Sequence, residues 1–252
     1  MYETKFEIMQ GFEDGIEMFK KLLKPALLLA LLGFLLAGLR LIIDPTYIKL
    51  LNGQFAEVDQ KMRLISQLFT IVMAPITSTV GIMILYYHKE AITEEISLGE
   101  KIVSSFKVAI KVFLAIIALF IPIVLLAGIL IGISAAMGSY ILSMILLILL
   151  IIGAIVLSPM FMFVQQAMVF DDMGVFKAAK HSFKLVKHNY FRLLLLALIV
   201  GGILMALTGA LRFHIVGIIL SMMISSIASK LYMCINSSVY LQARPEEVEI
   251  YE

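Results

Sequence analysis

Six long runs of apolar residues occupy most of the chain and limit how it can fold. They cover roughly residues 22–43, 64–88, 108–133, 138–170, 190–211 and 214–241. A helix needs about 20 apolar residues to cross the hydrocarbon core of a bilayer. Backbone amides inside a bilayer are satisfied only within helices or closed barrels, and the stretch Leu142–Leu150 lacks the alternation of a barrel strand. The runs therefore predict an all-α, multi-pass membrane bundle with six transmembrane helices.

The composition excludes a water-soluble globular protein. Of the 252 residues, 62% are hydrophobic and 15% are charged, whereas soluble domains average about 45–50% and about 25%. A net charge of +2 without an extended basic tract gives no surface for nucleic acid. We expect a single membrane domain over residues 1–252, with membrane lipids, a hydrophobic peptide or another membrane protein as its partners.

The distribution of Lys and Arg predicts the orientation in the membrane, because these residues collect in cytoplasmic connections. Fourteen of the 20 lie in the N-terminal segment up to Lys24, in or beside the second and fourth connections, or after the last run, and Lys230 lies inside a run. The opposite side has five, namely Arg40, Lys49, Lys61, Arg63 and Arg212. The bias places both termini in the cytoplasm, with the protein in the inner or plasma membrane of the cell.

Three amphipathic segments, each followed by two apolar runs, indicate an internal repeat. The segments are 11–24, 98–111 and 174–187. A Phe-Lys pair aligns in all three, beginning at Phe19, Phe106 and Phe183. In the even-numbered runs, Tyr86, Phe170 and Tyr240 stand eleven residues after Pro75, Pro159 and Ser229. The pattern predicts one interfacial helix and two spans used three times, over about 1–90, 91–172 and 173–252.

The stretch SPMFMFVQQAMVFDDMGVFKAAKHSFKLVKHNYFRLLLLAL, Ser158–Leu198, carries a resemblance to a known family. With its proline, the acidic pair Asp171-Asp172 and the Ser-Phe-Lys helix, it resembles six-span proteins related to the membrane domain of glycerophosphoryl diester phosphodiesterases, including YciC-like inner-membrane proteins. The resemblance implies a six-helix membrane fold. It implies no enzyme, because the phosphodiesterases keep their catalytic residues in a separate soluble domain that these 252 residues do not contain.

Lys230 lies deep in the sixth run and is the most informative single residue. Eleven residues separate it from the end of the run, which corresponds to a depth of roughly 16 Å. A charge at the centre of a span costs about 2.5–3.5 kcal/mol, so we expect Lys230 to face the bundle interior. Its expected polar neighbours are Ser225, Ser226, Ser229, Gln165 and Gln166. Lys230 either contacts an anion or lipid headgroup or donates to carbonyl groups freed by kinked helices.

Small residues and prolines predict where the helices pack and bend. Gly128 and Gly132 form a GxxxG pair, which favours close packing against the fourth run over contact with a second copy. The fourth run is longer than one span, so we expect it to tilt, to kink at Pro159 or to project past the lipid. Hydroxyl groups beyond Pro75 are expected to satisfy the backbone there. Ser221, Ser225 and Ser229 share one face of the sixth run, either for helix packing or for a water-lined path.

The segment 174–187 gives the clearest prediction of a partner. Its lysines, Lys177, Lys180, Lys184 and Lys187, mark one side, and Phe176, Ala179, Phe183, Val186 and Tyr190 mark the other. This pattern is typical of an interfacial helix whose lysines contact lipid headgroups. The positive-inside bias alone also explains the lysines.

No pattern of residues predicts catalysis, a cofactor or a metal. The sequence has no phosphate loop, HExxH, GxSxG or CxxC motif. Asp171 and Asp172 are expected to cap the helix that follows them. We therefore expect a non-enzymatic membrane protein that binds a lipid or hydrophobic peptide, or that is a scaffold for a membrane partner. The alternative is a transporter or channel subunit with a path along the sixth run and an ATPase on another chain.

Overall fold

The computed structural model describes residues 8–43, 59–93, 95–136, 138, 140–211 and 215–243. Every regular element in these ranges is helical, so the predicted all-α helical bundle is confirmed. The α-helices are α1 Ile8–Lys21, α2 Leu23–Ile43, α3 Gln60–Ile92, α4 Leu98–Ala136, α5 Tyr140–Leu157, α6 Val164–Phe170, α7 Val175–Ala210 and α8 Ile215–Ala243. A 3₁₀ turn, Ser158–Phe161, lies between α5 and α6.

Four helical stretches are long and apolar enough to cross a membrane. They are α2, α3, the part Asn189–Ala210 of α7 and the part Val216–Ala243 of α8. Helices α4 and α5 have 39 and 18 residues, and their described residues include the shorter apolar stretches Leu125–Ser134 and Met144–Gly153. The count of six spans stays a prediction.

Two of the three amphipathic segments are set off from the helix that follows. The first forms α1, which is separated from α2 at Leu22. Pro25 has no backbone N–H to donate to the carbonyl oxygen of Lys21, so the helix is interrupted there. The third segment forms the first half of α7 and ends at Asn189, whose φ of −119° and ψ of 19° are not helical.

The prediction that the second amphipathic segment is a separate helix is wrong. Residues 98–111 continue directly into the rest of α4, which runs over Leu98–Ala136. The sequence has neither Gly nor Pro between Gly99 and Pro122. Since these two residues are the ones that most disfavour a helix interior, nothing in the local chemistry ends the helix after the segment.

The predicted break of the fourth run at Pro159 is confirmed. Helix α5 ends at Leu157, and α6 begins only at Val164. Ser182 of α7 satisfies the interrupted backbone. Its hydroxyl donates to the carbonyl oxygen of Met160 at 2.7 Å and accepts from the backbone N–H of Phe163 at 3.2 Å. A side chain of the next amphipathic segment thus provides the partners that the helix loses at the break.

Pro75 lies inside α3, and the helix continues through it. The hydroxyl of Thr79 donates to the carbonyl oxygen of Pro75 at 2.7 Å. The hydroxyl of Thr77 lies 3.1 Å from the carbonyl oxygens of both Met73 and Ala74. The hydroxyl groups beyond Pro75 thus bond to the surrounding backbone, as predicted. Among the described hydrogen bonds, no side chain reaches the carbonyl oxygen of Ile71, the one that Pro75 deprives of its helical donor.

Buried residues concentrate at one end of the bundle, which we call the junction end. Continuous buried stretches occur there at Ile82–Tyr86 of α3, at Ala167–Val169 of α6 and at Cys234–Tyr240 of α8. At the other end, here called the open end, most apolar side chains of the same helices are exposed. The junction end therefore holds the core that positions the polar residues described below.

Amphipathic segments and apolar helices meet at the junction end in cyclic order. Helix α1 packs on α8, the first half of α4 packs on α3, and the first half of α7 packs on the turn before α6. Each contact joins the second span of one predicted unit to the amphipathic segment of the next. The contact between α1 and α8 closes the ring. A threefold repeat is expected to produce this cyclic pairing, and the repeat itself stays a prediction.

Two glycines of α1 allow the closest of these contacts. A Cβ atom added at Gly11 would lie 2.8 Å from Cγ2 of Val239, and one added at Gly15 would collide with the Cα atom of Ile235. The Gln242 amide also donates to the Asp14 carboxylate at 2.6 Å. A GxxxG pair therefore does bring two helices together, at Gly11 and Gly15 of the first segment.

The prediction that Gly128 and Gly132 pack inside the bundle is wrong. Both glycines are exposed, and none of the described residues places an atom within 4 Å of a Cβ added at either one. Helix α5 does pack against α4, but no described contact involves these two glycines. The small-residue face of α4 therefore points away from the rest of the described bundle.

Candidate functional site

Lys230 is buried inside the bundle, as predicted, with 4% of its surface exposed. On the same side of α8, one turn earlier, the hydroxyl of Ser226 donates to the carbonyl oxygen of Ala30 in α2 at 2.7 Å. Across the described residues, no carboxylate lies within ion-pair distance of Lys230 and no hydrogen bond reaches its ammonium group. A charge so enclosed persists only where an anion, water or carbonyl oxygens compensate it.

No described hydrogen bond joins Lys230 to the other residues predicted to surround it. Ser225 and Ser229 are exposed, and the Ser229 hydroxyl bonds back to the carbonyl oxygen of Ser226 at 2.8 Å. Gln166 is buried in α6 and Gln165 is half-buried, but neither is hydrogen-bonded to Lys230 within the described ranges. The structure therefore places Ser226 alone, of the five predicted neighbours, on the side of α8 that carries Lys230.

Sequence analysis missed a group of polar and aromatic residues at the junction end. We call this group the junction cluster: His88, Lys89, Phe170, Asp171, Asp172, His181, Ser237 and Tyr240. These residues come from α3, the end of α6, the first half of α7 and α8. The cluster therefore ties together four helices where the spans end.

A buried histidine links α3 to α8 in this cluster. His88 is 2% exposed, and its Nδ1 atom lies 2.5 Å from the hydroxyl oxygen of Ser237. The Ser237 hydroxyl donates to the carbonyl oxygen of Cys234 at 2.9 Å. The direction of the bond between His88 and Ser237 depends on the imidazole tautomer: Nδ1–H donates to the Ser237 oxygen, whereas unprotonated Nδ1 accepts the hydroxyl proton.

Tyr240 forms the aromatic centre of the cluster. Its hydroxyl donates to the carboxylate of Asp171. Its ring centroid lies 5.8 Å from that of Phe163, 6.1 Å from that of His181 and 6.3 Å from that of Phe170. These distances are within the range at which aromatic rings attract one another. Tyr240 and Phe170 were singled out in the sequence only as repeat markers, and the repeat spacing is the signal that points to them.

Lys89 and the two aspartates lie at the C-terminal end of α6. The ammonium of Lys89 donates to the carbonyl oxygen of Val169 at 2.7 Å and lies 3.3 Å from the carboxylate of Asp172. A cation is favourable at a helix C-terminus, where carbonyl oxygens lack helical partners. Asp172 takes a positive φ of 49°, which turns the chain out of the helix.

The prediction that Asp171 and Asp172 cap the helix after them is wrong. The N-cap of α7 is Gly174, and no side chain bonds to it there. Both carboxylates instead reach other helices, toward Tyr240 of α8 and Lys89 of α3. These partners are far apart in sequence, so local spacing gives no indication of them.

His181 is a titratable residue of the cluster that lies outside the apolar spans. Burial lowers the pKa of its imidazole, and this is the largest effect. The negative charge of Asp171 raises that pKa, whereas Lys184 and Lys177 lower it. The imidazole is therefore neutral at pH 7. Within the described ranges, no three His, Cys, Asp or Glu side chains stand close enough together to hold a metal ion.

The four lysines of α7 are all exposed, and two phenylalanines are exposed beside them. The buried residues of this half-helix are Ala178, Ser182 and Val186. Phe176 is 80% exposed and Phe183 44%, whereas Val186 of the same predicted apolar face is buried against the protein. Small side chains at the buried positions let α7 approach the break at Pro159. We call Phe176, Phe183, Lys177, Lys180, Lys184 and Lys187 the basic-aromatic surface.

Comparison with known proteins identifies no relative: no family model matches the chain, and neither does any curated protein or solved structure. The resemblance to the six-span proteins therefore stays a proposal. Function has to be inferred from the residues and the geometry of the chain itself.

Proposed function

We propose that the chain is a non-enzymatic, multi-pass membrane protein that binds anionic lipids of the cytoplasmic leaflet through the basic-aromatic surface of α7. The observation that carries this proposal is the three-sided character of the half-helix. One side is buried against the break at Pro159, the second exposes Phe176 and Phe183, and the third exposes the lysines. A helix at the edge of a membrane bundle needs these three environments: protein, acyl chains and headgroups.

The proposed orientation follows from the charge bias. Fourteen of the 20 Lys and Arg residues belong to the side of the membrane on which the amphipathic segments begin, which we take to be cytoplasmic. We propose six spans: the four helical stretches that are long and apolar enough to cross a membrane, together with α4 and α5. This layout is that of the six-span proteins that the segment Ser158–Leu198 resembles.

The energies of the individual contacts favour lipid binding at this surface. Each lysine close to an anionic leaflet contributes about 1 kcal/mol before screening by salt. Phe176 and Phe183 add apolar surface that leaves water when it enters the acyl region. The path along α8 that a transporter would use is less well supported, because Ser225 and Ser229 lie on the outside of the bundle.

The test is a comparison of two double variants in mixed micelles that contain phosphatidylglycerol. Lys180→Gln with Lys184→Gln removes two charges from the basic-aromatic surface. Lys20→Gln with Lys21→Gln removes two exposed charges from α1 and is the matched control. Native mass spectrometry should show that the α7 variant needs about ten- to thirtyfold more phosphatidylglycerol for the same occupancy, as expected for two lysines. Equal occupancy of both variants would overturn the proposal.

A further inference from the structure

Two of the three contacts between successive predicted units combine a proline in the apolar helix with a serine in the amphipathic segment packed on it. In one contact Pro159 precedes α6 and Ser182 lies in α7, and in the other Pro75 lies in α3 and Ser105 in α4. Each serine directly precedes the phenylalanine of the aligned Phe-Lys pair. The third contact, between α8 and α1, has no proline in α8 and has Met18 in place of the serine.

The two amphipathic segments that carry the serines are buried at the same three places. In α7 the buried residues are Ala178, Ser182 and Val186. The residues that align with them in α4 are also buried, namely Lys101, Ser105 and Ala109. Ser105 and Ser182 are both completely enclosed, with 0% of their surface exposed. The two serines therefore hold equivalent positions against the apolar helices on which their segments pack.

The two serines differ in what they bond. At Pro159 the helix is broken, and the hydroxyl of Ser182 bonds to a carbonyl oxygen and to an N–H of the interrupted backbone. At Pro75 the helix α3 continues unbroken, and the hydroxyl of Ser105 is buried without a hydrogen-bond partner among the described residues. An unpaired buried hydroxyl is unfavourable. Helices α3 and α4 thus contain both residues that stabilise a break, while the break itself is not formed.

The spacing of the repeat identifies the atoms that a break would offer to Ser105. The partners of Ser182 stand one and four residues after its proline. The residues one and four positions after Pro75 are Ile76 and Thr79. While α3 is continuous, the carbonyl oxygen of Ile76 and the backbone N–H of Thr79 are bonded within the helix. A break after Pro75 frees both groups for the serine.

An apolar groove of about 290 Å³ lies beside this part of α3. Its lining includes Ile76 and Thr79 of α3 and also Ile102 and Phe106 of α4, which stand three residues before and one residue after Ser105. The stretch of α4 that carries the serine therefore lies next to the backbone that a break would free. A close-packed interior resists rearrangement of the backbone, whereas the groove leaves room for it here.

The continuous and the broken form of α3 differ little in their hydrogen bonds. In the continuous form, no described hydrogen bond from a side chain reaches the carbonyl oxygen of Ile71, and Pro75 has no N–H to offer it. A break gives up the helical bonds of the Ile76 carbonyl oxygen and the Thr79 N–H, and replaces each of them by a bond to Ser105. Because the number of bonds to these two groups is unchanged, both forms can be populated.

We propose that α3 is a hinged helix that exchanges between the continuous form and a form broken after Pro75. In the broken form, the hydroxyl of Ser105 donates to the carbonyl oxygen of Ile76 and accepts from the backbone N–H of Thr79. The break at Pro159 provides the geometry of this second form within the same chain. The hinge does not rest on the lipid binding proposed above, which concerns α7.

The hinge would move the open end of the bundle relative to the junction end. The part of α3 before the proline, Gln60–Ala74, belongs to the open end. Arg40 of α2 donates a hydrogen bond to the hydroxyl of Thr70 in this part. A pivot of α3 is therefore passed on to the end of α2, while the buried stretch Ile82–Tyr86 stays in the core.

A distance measured along α3 tests the hinge. Spin labels are attached at Leu64→Cys and Ile92→Cys, two exposed positions, in a Cys234→Ala background that removes the single cysteine of the chain. A continuous helix places residues 64 and 92 about 42 Å apart. Double electron–electron resonance in lipid nanodiscs should show this distance together with a second one about 4 Å shorter, as expected for a helix bent at a proline.

Three variants of the labelled chain assign the shorter distance. Pro75→Ala restores an N–H for the carbonyl oxygen of Ile71 and should remove the shorter distance. Ser105→Ala deletes the partner of the freed backbone and should lower the ratio of the shorter to the longer distance about tenfold. Ser104→Ala is the matched control at the neighbouring, half-buried hydroxyl, and should leave the ratio unchanged. The hinge proposal is wrong if the unmodified helix shows one distance only, or if Ser104→Ala and Ser105→Ala act alike.

Hydrogen exchange of the unlabelled chain gives a second measurement that does not depend on the cysteine variants. The backbone amides of Ile76–Thr79 should exchange faster than those of Ile82–Leu85, because they open with the hinge. Pro75→Ala should slow the exchange of the first group about tenfold and leave that of the second unchanged. Equal exchange of Ile76–Thr79 in Pro75→Ala and in the unmodified chain would overturn the proposal.

Discussion

The junction end and the open end of the bundle are built from the same helices but are packed very differently. In α3, Ile82–Tyr86 are buried, whereas Leu64, Ile65 and Leu68 of the same helix are at least 50% exposed. Both stretches are apolar, so hydrophobicity does not explain the difference. Within a bilayer, acyl chains are as apolar as leucine, and helices associate through close packing and polar contacts. Close contacts of small and polar residues therefore accompany the buried apolar core of the junction end.

Polar contacts concentrate at the junction end accordingly. Besides the junction cluster, Lys101 pairs with Glu90 and lies 4.3 Å from the centroid of the Tyr87 ring. Such a pair holds the amphipathic part of α4 on α3 through attraction to both the carboxylate and the ring face. Replacing a small or polar residue should thus lower the stability of the fold at the junction end and change it little at the open end.

The largest effect is expected at the contact between α1 and α8. Gly15→Leu would drive a side chain into the backbone of Ile235, and overpacking of this kind costs about 3 kcal/mol. Gly128→Leu is the matched control at the open end, where the added side chain meets no described atom within 4 Å of its Cβ. Thermal unfolding in detergent should show a much lower unfolding temperature for Gly15→Leu and an unchanged one for Gly128→Leu. A comparable loss in both would contradict the distinction between the two ends.

Replacing Lys230 is the next test, because this residue combines burial with the absence of a described carboxylate partner. Lys230→Met keeps length and removes the charge, so we expect the free energy of unfolding to rise by about 2 kcal/mol. Lys111→Met, at an exposed lysine of α4, should change it little. Chemical unfolding in detergent compares the two variants. A lower stability of Lys230→Met would show that the ammonium is a structural donor to backbone carbonyls.

A smaller loss is expected when a buried hydrogen bond of the junction cluster is removed. Ser237→Ala leaves Nδ1 of the buried His88 without its hydrogen-bond partner, at a cost of about 1–2 kcal/mol. Ser225→Ala on the same helix removes an exposed hydroxyl and should change stability by less than about 0.5 kcal/mol. The same unfolding assay measures both. If the Ser225 variant were the less stable of the two, the cluster would not be the polar core of the bundle.

The smallest predicted effect is a pH dependence from His181. Burial lowers the pKa of this imidazole below 6.5 in the folded chain, while the unfolded value is about 6.5. The folded state then binds the proton less readily than the unfolded state. The contribution of neutral His181 to the free energy of unfolding is therefore complete above pH 6.5 and is lost as the pH falls toward the folded pKa. Asp171, Lys184 and Lys177 modulate this pKa. We expect unfolding temperatures to fall less on acidification for His181→Phe than for the unmodified chain, and equal pH dependence would refute the assignment.

The sequence predicts the elements of this fold well and their contacts poorly. Apolar runs mark the helices, and the break at Pro159 follows from the length of its run. Two glycine pairs have the same spacing, yet of the two only Gly11 and Gly15 meet another described helix. Their partner surface on α8 is more than 200 residues away in the sequence, so local spacing cannot reveal it. No local pattern distinguishes the two pairs.

The candidate site was harder to predict for the same reason. His88 and Ser237 are 149 residues apart in the sequence, and their hydrogen bond depends on how α3 and α8 lie together. Burial of Lys230 could be predicted, because the insertion cost of a charge depends only on its depth. The spacing of four residues puts Ser226, and not Ser225 or Ser229, on its side of the helix. Its neighbours on other helices could not be predicted, since they depend on how α8 is rotated against those helices.

The contact between α1 and α8 has a consequence for how the chain is made. Gly15 meets a residue synthesised 220 positions later, and ribosomes add about 5–20 residues per second. The glycine face of α1 thus waits roughly 10–45 s for its partner. During that interval the glycine face of α1 has no contact with α8. Ring closure is therefore a late step of biogenesis, and a chain stalled before α8 displays α1 as a mark of incompleteness.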